Sequence, residues 1–198
     1  SEDGSVKIWD RRSGVCQRDK TIRDKKTFVN CAVLHPNQGE IICADQSGTV
    51  SIYDIAADKL RTSWKPEGKN IPIRSVTVSA DASMVIAANN RGTCYVYKPS
   101  TKASANLGGN QDDFKQPSML NMMNQPSSKN FNDTKHLVTT HNSRADKNGM
   151  YTLTHKIAAH DVYCLKALLS PDARYLATCS SDHSIKIFDV AGNFKLQS

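Results

Sequence analysis

The 198-residue sequence predicts an all-β fold made of repeated four-stranded sheets, and three observations carry that reading. One short stretch occurs four times: Gly4–Asp10, Gly48–Asp54, Gly92–Lys98 and His183–Asp189. Each enters a strand from a tight turn and places a large aromatic sixth: Trp9, Tyr53, Tyr97 and Phe188. A second strand-like segment begins 19 residues before the turn in three of the units, at Val29, Ile73 and Cys164. A third, almost wholly apolar, lies between them at Glu40–Ala44, Met84–Ala88 and Tyr175–Cys179, as expected of strands covered on both faces. The aromatics are spaced by 44, 44 and 91 residues, so the last interval is one period plus an insertion of roughly 47. Four strands per 44 residues is the arithmetic of a β-propeller blade.

Taken in order, residues 1–24 read as the outer strands of a truncated blade and 25–68 as a complete one. Residues 69–98 with 151–157 form a third blade, interrupted by 99–150, and 158–198 a fourth that stops near its last strand. The chain is therefore expected to be the middle of a longer protein. In the repeated strand, Val6, Ile8, Val50, Ile52, Cys94, Val96, Ile185 and Ile187 alternate with Lys7, Ser51, Tyr95 and Lys186. That period of two predicts one buried and one open face. Between 99 and 150, 21 of 52 residues are Asn, Gln, Ser or Thr, too little apolar surface to offset the entropy of ordering, which predicts a disordered loop. Tyr151–Lys156 resumes alternation as the outermost strand of the interrupted blade, and Met119, Met122 and Met123 read as incidental loop residues.

Residues 164–189 carry an apolar strand, a Ser170-Pro171-Asp172 turn, the strand Leu176–Ser180 and the strand ending Ile187-Phe188-Asp189. This order resembles a WD repeat, with His160-Asp161 where that family has a Gly-His pair and Ala159 in place of the Gly. The resemblance implies a hydrogen-bonded chain inside the blade through His160, Thr178 or Ser180, and Asp182. Phe188 lacks the N–H that a Trp would add, while Asp3 and Trp9 keep both ends in the first unit. Ser47 and Arg91 stand at the turn-Asp position of the middle units. The runs His35–Glu40, Asp45–Gly48 and Asn89–Val96 are more particular. They resemble the G-protein-β-subunit-like WD-repeat subunits of the target-of-rapamycin kinase complexes. That resemblance implies a seven-bladed ring, of which this chain is a fragment, acting in nutrient and growth signalling as a non-catalytic scaffold that binds and steadies the kinase catalytic domain.

Function classes narrow further. No G-x-S-x-G, H-E-x-x-H or phosphate-cradling loop occurs, so no catalytic residue, cofactor site or metal site is assigned. Cys16, Cys31, Cys43, Cys94, Cys164 and Cys179 form no C-x-x-C pair and read as buried free thiols. The longest apolar run, Met84–Ala88, is far below the ~20 residues that span a bilayer, which predicts a soluble, cytoplasmic chain, with any membrane association made through its complex. The formal net charge of +7 is concentrated at Arg11, Arg12, Arg18, Lys20, Arg23, Lys25 and Lys26. Such a run either protects a sheet edge or meets RNA or another polyanion. With no aromatic interleaved for stacking, nucleic acid is the weaker alternative. Partner contacts are expected where turns between second and third strands meet the connections between blades, at Asn30, Gln46, Arg74, Asn90, Arg91, Tyr163 and His183.

Overall fold

The computed structural model describes residues 1–21, 27–67, 70–100, 138–140 and 149–197. Its strands form four antiparallel sheets that follow one another along the chain. The first pairs β1 (Ser5–Trp9) with β2 (Cys16–Thr21). The second is a meander of β3 (Val29–Leu34), β4 (Glu40–Asp45), β5 (Val50–Asp54) and β6 (Lys59–Trp64). The third runs β7 (Ile73–Val78), β8 (Val85–Asn89), β9 (Thr93–Pro99), then β11 (Tyr151–Ala158), with β10 (Val138–Thr140) outside it. The fourth is β12 (Cys164–Leu169), β13 (Tyr175–Ser180), β14 (Ile185–Asp189) and the two-residue β15 (Lys195–Leu196). This is the arc of blades that the 44-residue period predicts. The first sheet holds two strands.

The insertion departs from its expectation at both described ends. Ser100 donates its N–H to the Met150 carbonyl at 2.7 Å, closing the β9–β11 ladder past Pro99. Val138–Thr140 pairs with His155–Ile157, so β11 is not the outermost strand. Alternating Val-Thr-Thr beside an open strand edge satisfies backbone groups there. Residues 101–137 and 141–148, with Met119, Met122 and Met123, lie outside the described residues.

The core sits between sheets, not within them. Cys43 and Tyr53 of the second sheet pack with Val6, Val29 and Ile41, joining it to the first. Ile42, Val50, Ile52 and Trp64 meet Ile73, Val76, Val85, Tyr95 and Tyr97 at the next interface. There Trp64 stacks on Tyr151, ring centroids 5.4 Å apart, and tilts against Tyr97 at 5.2 Å. Met84, Ile86, Cys94, Val96 and Ile157 face Cys164, Ala167, Leu176, Phe188 and Phe194 at the third. Sandwiching corrects the half-buried expectation for the middle units: Val50, Ser51, Ile52 and Tyr53 are all buried, as are Cys94, Tyr95, Val96 and Tyr97. It also corrects the last unit in the opposite sense. Ile185 is 70 % exposed and Ile187 38 %, because the outward face of the fourth sheet has no neighbour here. Leu168 and Tyr175 share that exposure, so β13 is covered on one side only.

Side chains also fasten the innermost strands to each other. Ser75 accepts from the Ala167 N–H at 3.2 Å and donates to the Ala167 carbonyl at 3.3 Å, and Thr77 accepts from the Leu169 N–H at 3.3 Å. At the preceding junction Asn30 donates to the Ile73 carbonyl at 2.9 Å. The turn glycines set the distance of approach. A Cβ on Gly92 would lie 1.9 Å from the His160 carbonyl oxygen, and one on Gly48 2.3 Å from that of Ile71. Both residues also hold left-handed φ, +76° and +81°.

Two outcomes follow from this packing. Gly92→Ala combines backbone strain with a clash against main chain, and should cost about 3 kcal/mol or more in denaturant unfolding, while Gly39→Ala stays within about 0.5 kcal/mol. Residues 1–198 expressed alone should self-associate in sedimentation velocity through the bare Leu168, Tyr175, Ile185 and Ile187 face. Ile185→Ser with Ile187→Ser should return the chain to monomer.

Candidate partner-binding face

The turns between second and third strands gather at one end of the sheets, and short polar side chains build them. Asp182 accepts from the Ser184 N–H at 2.9 Å and the Ser184 hydroxyl at 2.6 Å. In the middle units the cap shifts two residues upstream. Asp45 accepts from the Thr49 N–H and Ser47 hydroxyl, and Asn89 from the Arg91 and Thr93 N–H groups. This is how Ser47 and Arg91 are tolerated at the turn-Asp position: the fold keeps the Asx turn and moves its acceptor. Beside each turn the innermost strand carries a bulge, between Val29 and Cys31, Ile73 and Ser75, and Cys164 and Lys166. Asn30, Arg74 and Leu165 are the extra residues, released from the ladder and re-aimed.

The structure separates the expected contact residues into two groups. Asn30 and Gln46 are bonded to each other at 3.2 Å, and Asn30 also ties to Ile73, so both work inside the sheet junction. Asn90 donates its N–H to the Pro72 carbonyl at 3.0 Å and is half-buried. Arg74, Arg91, Tyr163 and His183 are exposed, Tyr163 by 54 %. His183 occupies the glycine position of its turn with φ +65°. Exposed Val162 and Leu165 extend this rim with apolar surface. Sequence reading passed over Leu165, although it stands one residue after Cys164 as Asn30 and Arg74 stand after Val29 and Ile73.

Beneath the rim lies a hydrogen-bond chain. His160 Nδ1 is 2.8 Å from Asp182 Oδ2, and Nε2 is 2.8 Å from the Thr178 hydroxyl. Thr178 is the strand member that the chain selects. Ser180 instead donates to the Tyr163 carbonyl at 2.7 Å and accepts from the Asp182 N–H. Asp182 is held below the usual carboxylate range, first by Ser184 and then, against some desolvation, by the Ser184 N–H and His160. In the first unit Asp3 caps its turn through the Ser5 N–H, and Trp9 is 59 % exposed on the open sheet, so the structure does not bring these two into such a chain. The third sheet builds another version. Asn89 donates to the Tyr95 hydroxyl at 3.1 Å, Tyr95 donates to Glu67, and Lys156 bonds Glu67 at 2.8 Å. Burial first, then Glu67, drives the Tyr95 hydroxyl far above its ordinary range. Burial pulls Glu67 upward, but the Lys156 and Tyr95 hydrogen bonds prevail and lower it.

Thr178, His160 and Asp182 have the order of a nucleophile, a base and its orienting acid. Burial assigns them to structure instead: Thr178 is 1 % exposed and the His160 ring is wholly covered, so no substrate carbonyl reaches the hydroxyl. Among the described residues no His, Cys, Asp and Glu cluster is arranged to hold a metal ion, and no helix is long and apolar enough to cross a membrane. Of the basic run, Arg11, Arg12 and Arg18 are exposed, while 22–26 fall outside the described residues. The thiols divide: Cys43, Cys94 and Cys164 are buried, whereas Cys16, Cys31 and Cys179 are half-buried, correcting the uniform expectation.

Residues 151–189 match the family model of the WD domain, G-beta repeat. The chain is 34 % identical over 188 residues to the target of rapamycin complex subunit wat1 of Schizosaccharomyces pombe, covering 95 % of this chain and 45 % of that protein. It is 38 % identical over 197 residues to subunit LST8-1 of Arabidopsis thaliana, covering 100 % of this chain and 49 % of the relative. A second Arabidopsis relative, also 38 % identical over its 200 aligned residues, is named as the non-functional subunit LST8-2, matched over 100 % of this chain and 48 % of its own length. The chain thus spans about half the length of these relatives. Among solved structures, a chain of the mitotic checkpoint complex superposes with a TM-score of 0.61 over 95 % of this chain and 44 % of that one, at 16 % identity, a likeness of fold alone.

The buried chain predicts a mutational and a pH response. His160→Ala removes one partner of the buried Thr178 hydroxyl and leaves a void where the covered ring sat, and should cost about 2–3 kcal/mol in denaturant unfolding. Because the folded state depresses the Asp182 pKa, its contribution is present above the unfolded carboxylate value near ~4 and lost as pH falls below it. Asp182→Asn should therefore flatten the fall of melting temperature between about pH 4 and pH 2 relative to the unsubstituted protein.

Proposed function

We propose, from the premise that this chain is a WD-repeat protein resembling roughly half of the LST8-type target of rapamycin complex subunits, that the protein it represents is a non-catalytic scaffold subunit of such a kinase complex. The observation that carries the proposal is the reach of the likeness. It covers 95 % to 100 % of the chain, far beyond the 151–189 repeat that any WD protein could share. In this reading the catalytic domain of the kinase rests on the rim bearing Arg74, Arg91, Tyr163 and His183, with Asn30, Gln46 and Asn90 holding the rim's shape. Arg and Tyr are the residue types that anchor interfaces, and their exposure here leaves them free to serve. The protein acts in the cytoplasm and meets membranes through its complex.

A net charge of +7 with exposed Arg11, Arg12 and Arg18 supports a second reading, a basic module for RNA or another polyanion. One experiment separates them. The full-length protein should co-purify the kinase, and Arg74→Ala, Arg91→Ala and Tyr163→Ala combined should lose it, each position contributing about 1–2 kcal/mol or more. Unchanged co-purification by a folded triple variant overturns the assigned rim. Failure of the unsubstituted protein to retain kinase, together with polyanion binding that falls steeply with salt, favours the second reading.

A further inference from the structure

Two of the buried thiols share one sheet junction. Cys94 follows Gly92 by two residues on β9, and Cys164 follows Val162 by two on β12. Main chain at Gly92 and Val162 is in close approach, a Cβ on Gly92 lying 2.6 Å from the Val162 carbonyl oxygen. Both strands leave that point toward the same end of the sheets, and an offset of two returns side chains to the same face. Cys94 and Cys164 accordingly lie in the same core cluster, each 0 % exposed. The two thiols interact with each other, and Cys164 also donates to the Lys166 carbonyl at 3.6 Å.

We infer that Cys94 and Cys164 are a redox-modifiable pair, convertible by a peroxide into a disulfide that links the third sheet to the fourth. In the first step the Cys164 sulfur, as thiolate, attacks one peroxide oxygen; the O–O bond breaks, and the departing hydroxide takes a proton to become water. In the second the Cys94 sulfur, on losing its proton, displaces hydroxide from the Cys164 sulfenic acid, giving the S–S bond and a second water. The two thiols lose two electrons and two protons, and the peroxide is reduced to two waters. The assignment of roles agrees with the electrostatics of the pair: the hydrogen bond between the thiols draws Cys164 below the ordinary thiol range, while the same bond, together with burial, raises Cys94. Since both sulfurs are covered, the reaction proceeds through opening of the junction and is slow in the intact fold.

The test uses the full-length protein with hydrogen peroxide at neutral pH, followed by alkylation in denaturant, non-reducing digestion and mass spectrometry. The expected result is a cross-linked peptide pair containing Cys94 and Cys164, reversed by dithiothreitol, and a melting temperature raised by roughly 10 °C before reduction. Gly92→Ala, which loosens the same junction, should speed the reaction at least several-fold. Recovery of both cysteines as alkylated thiols overturns the inference. So does separate conversion of either to sulfinic or sulfonic acid, or a disulfide that joins one of them elsewhere.

Discussion

The close approach of each turn glycine to the main chain that leads into the next sheet is the constraint on which the arc depends. Gly48 meets Ile71 and Gly92 meets His160 at distances no side chain could share. The Gly92 carbonyl also accepts from both the Ala159 and His160 N–H groups, at 2.9 and 3.0 Å, so the contact is bonded as well as tight. Once these points are pinned, facing strands lie near enough for Ser75 and Thr77 to reach the backbone of β12. The apolar faces of β8, β9, β13 and β14 then close on one another without solvent. A 44-residue period is the sequence trace of that spacing: the same turn must recur where the next sheet begins.

The polar chain beneath the rim is the more variable part, and the variation obeys hydrogen-bond accounting. Where His160 is present, Thr178 and Asp182 satisfy its two nitrogens. In the third sheet Glu67 enters from the loop after β6 and engages Tyr95 and Lys156 instead. The requirement is that buried polar atoms find partners, and different residues meet it. Asp45 shows the limit, with one carboxylate oxygen bonded in its turn and the other without a partner among the described residues.

Much of the fold was legible because it is periodic. Strand positions and the place of the insertion follow from repeated residues at repeated distances, and the chain at His160 and Asp182 from the resemblance to a WD repeat. What escaped was set by neighbours in space. Ser51 and Tyr95 look like solvent-facing alternates along their strands, yet adjacent sheets cover them. Ile185 and Ile187 look like core, yet they lie on a face with nothing against it. Bulges at Asn30, Arg74 and Leu165 leave no compositional mark, since three dissimilar side chains occupy them. Glu67 was invisible for a related reason: it belongs to no repeated position, and only folding brings it beside Tyr95.

The rim draws its residues from different sheets: Arg74 and Arg91 come from the third, Tyr163 from the connection into the fourth, and Asn30 and Gln46 from the second. Their relative positions are fixed by the junctions, not by any single strand. Asn30 bridges the second and third sheets directly, Ser75 the third and fourth, and at the periphery His155 bonds Asn193 at 2.8 Å while its ring tilts against Phe194. A surface held this way loses little freedom when a partner docks, which is where the affinity of a rigid interface arises. In the proposed complex, the same coupling would make the junctions matter at a distance. A change such as Gly92→Ala, which presses on the His160 and Val162 carbonyls, would move Arg91 relative to Tyr163 and alter the spacing that a docking surface would read.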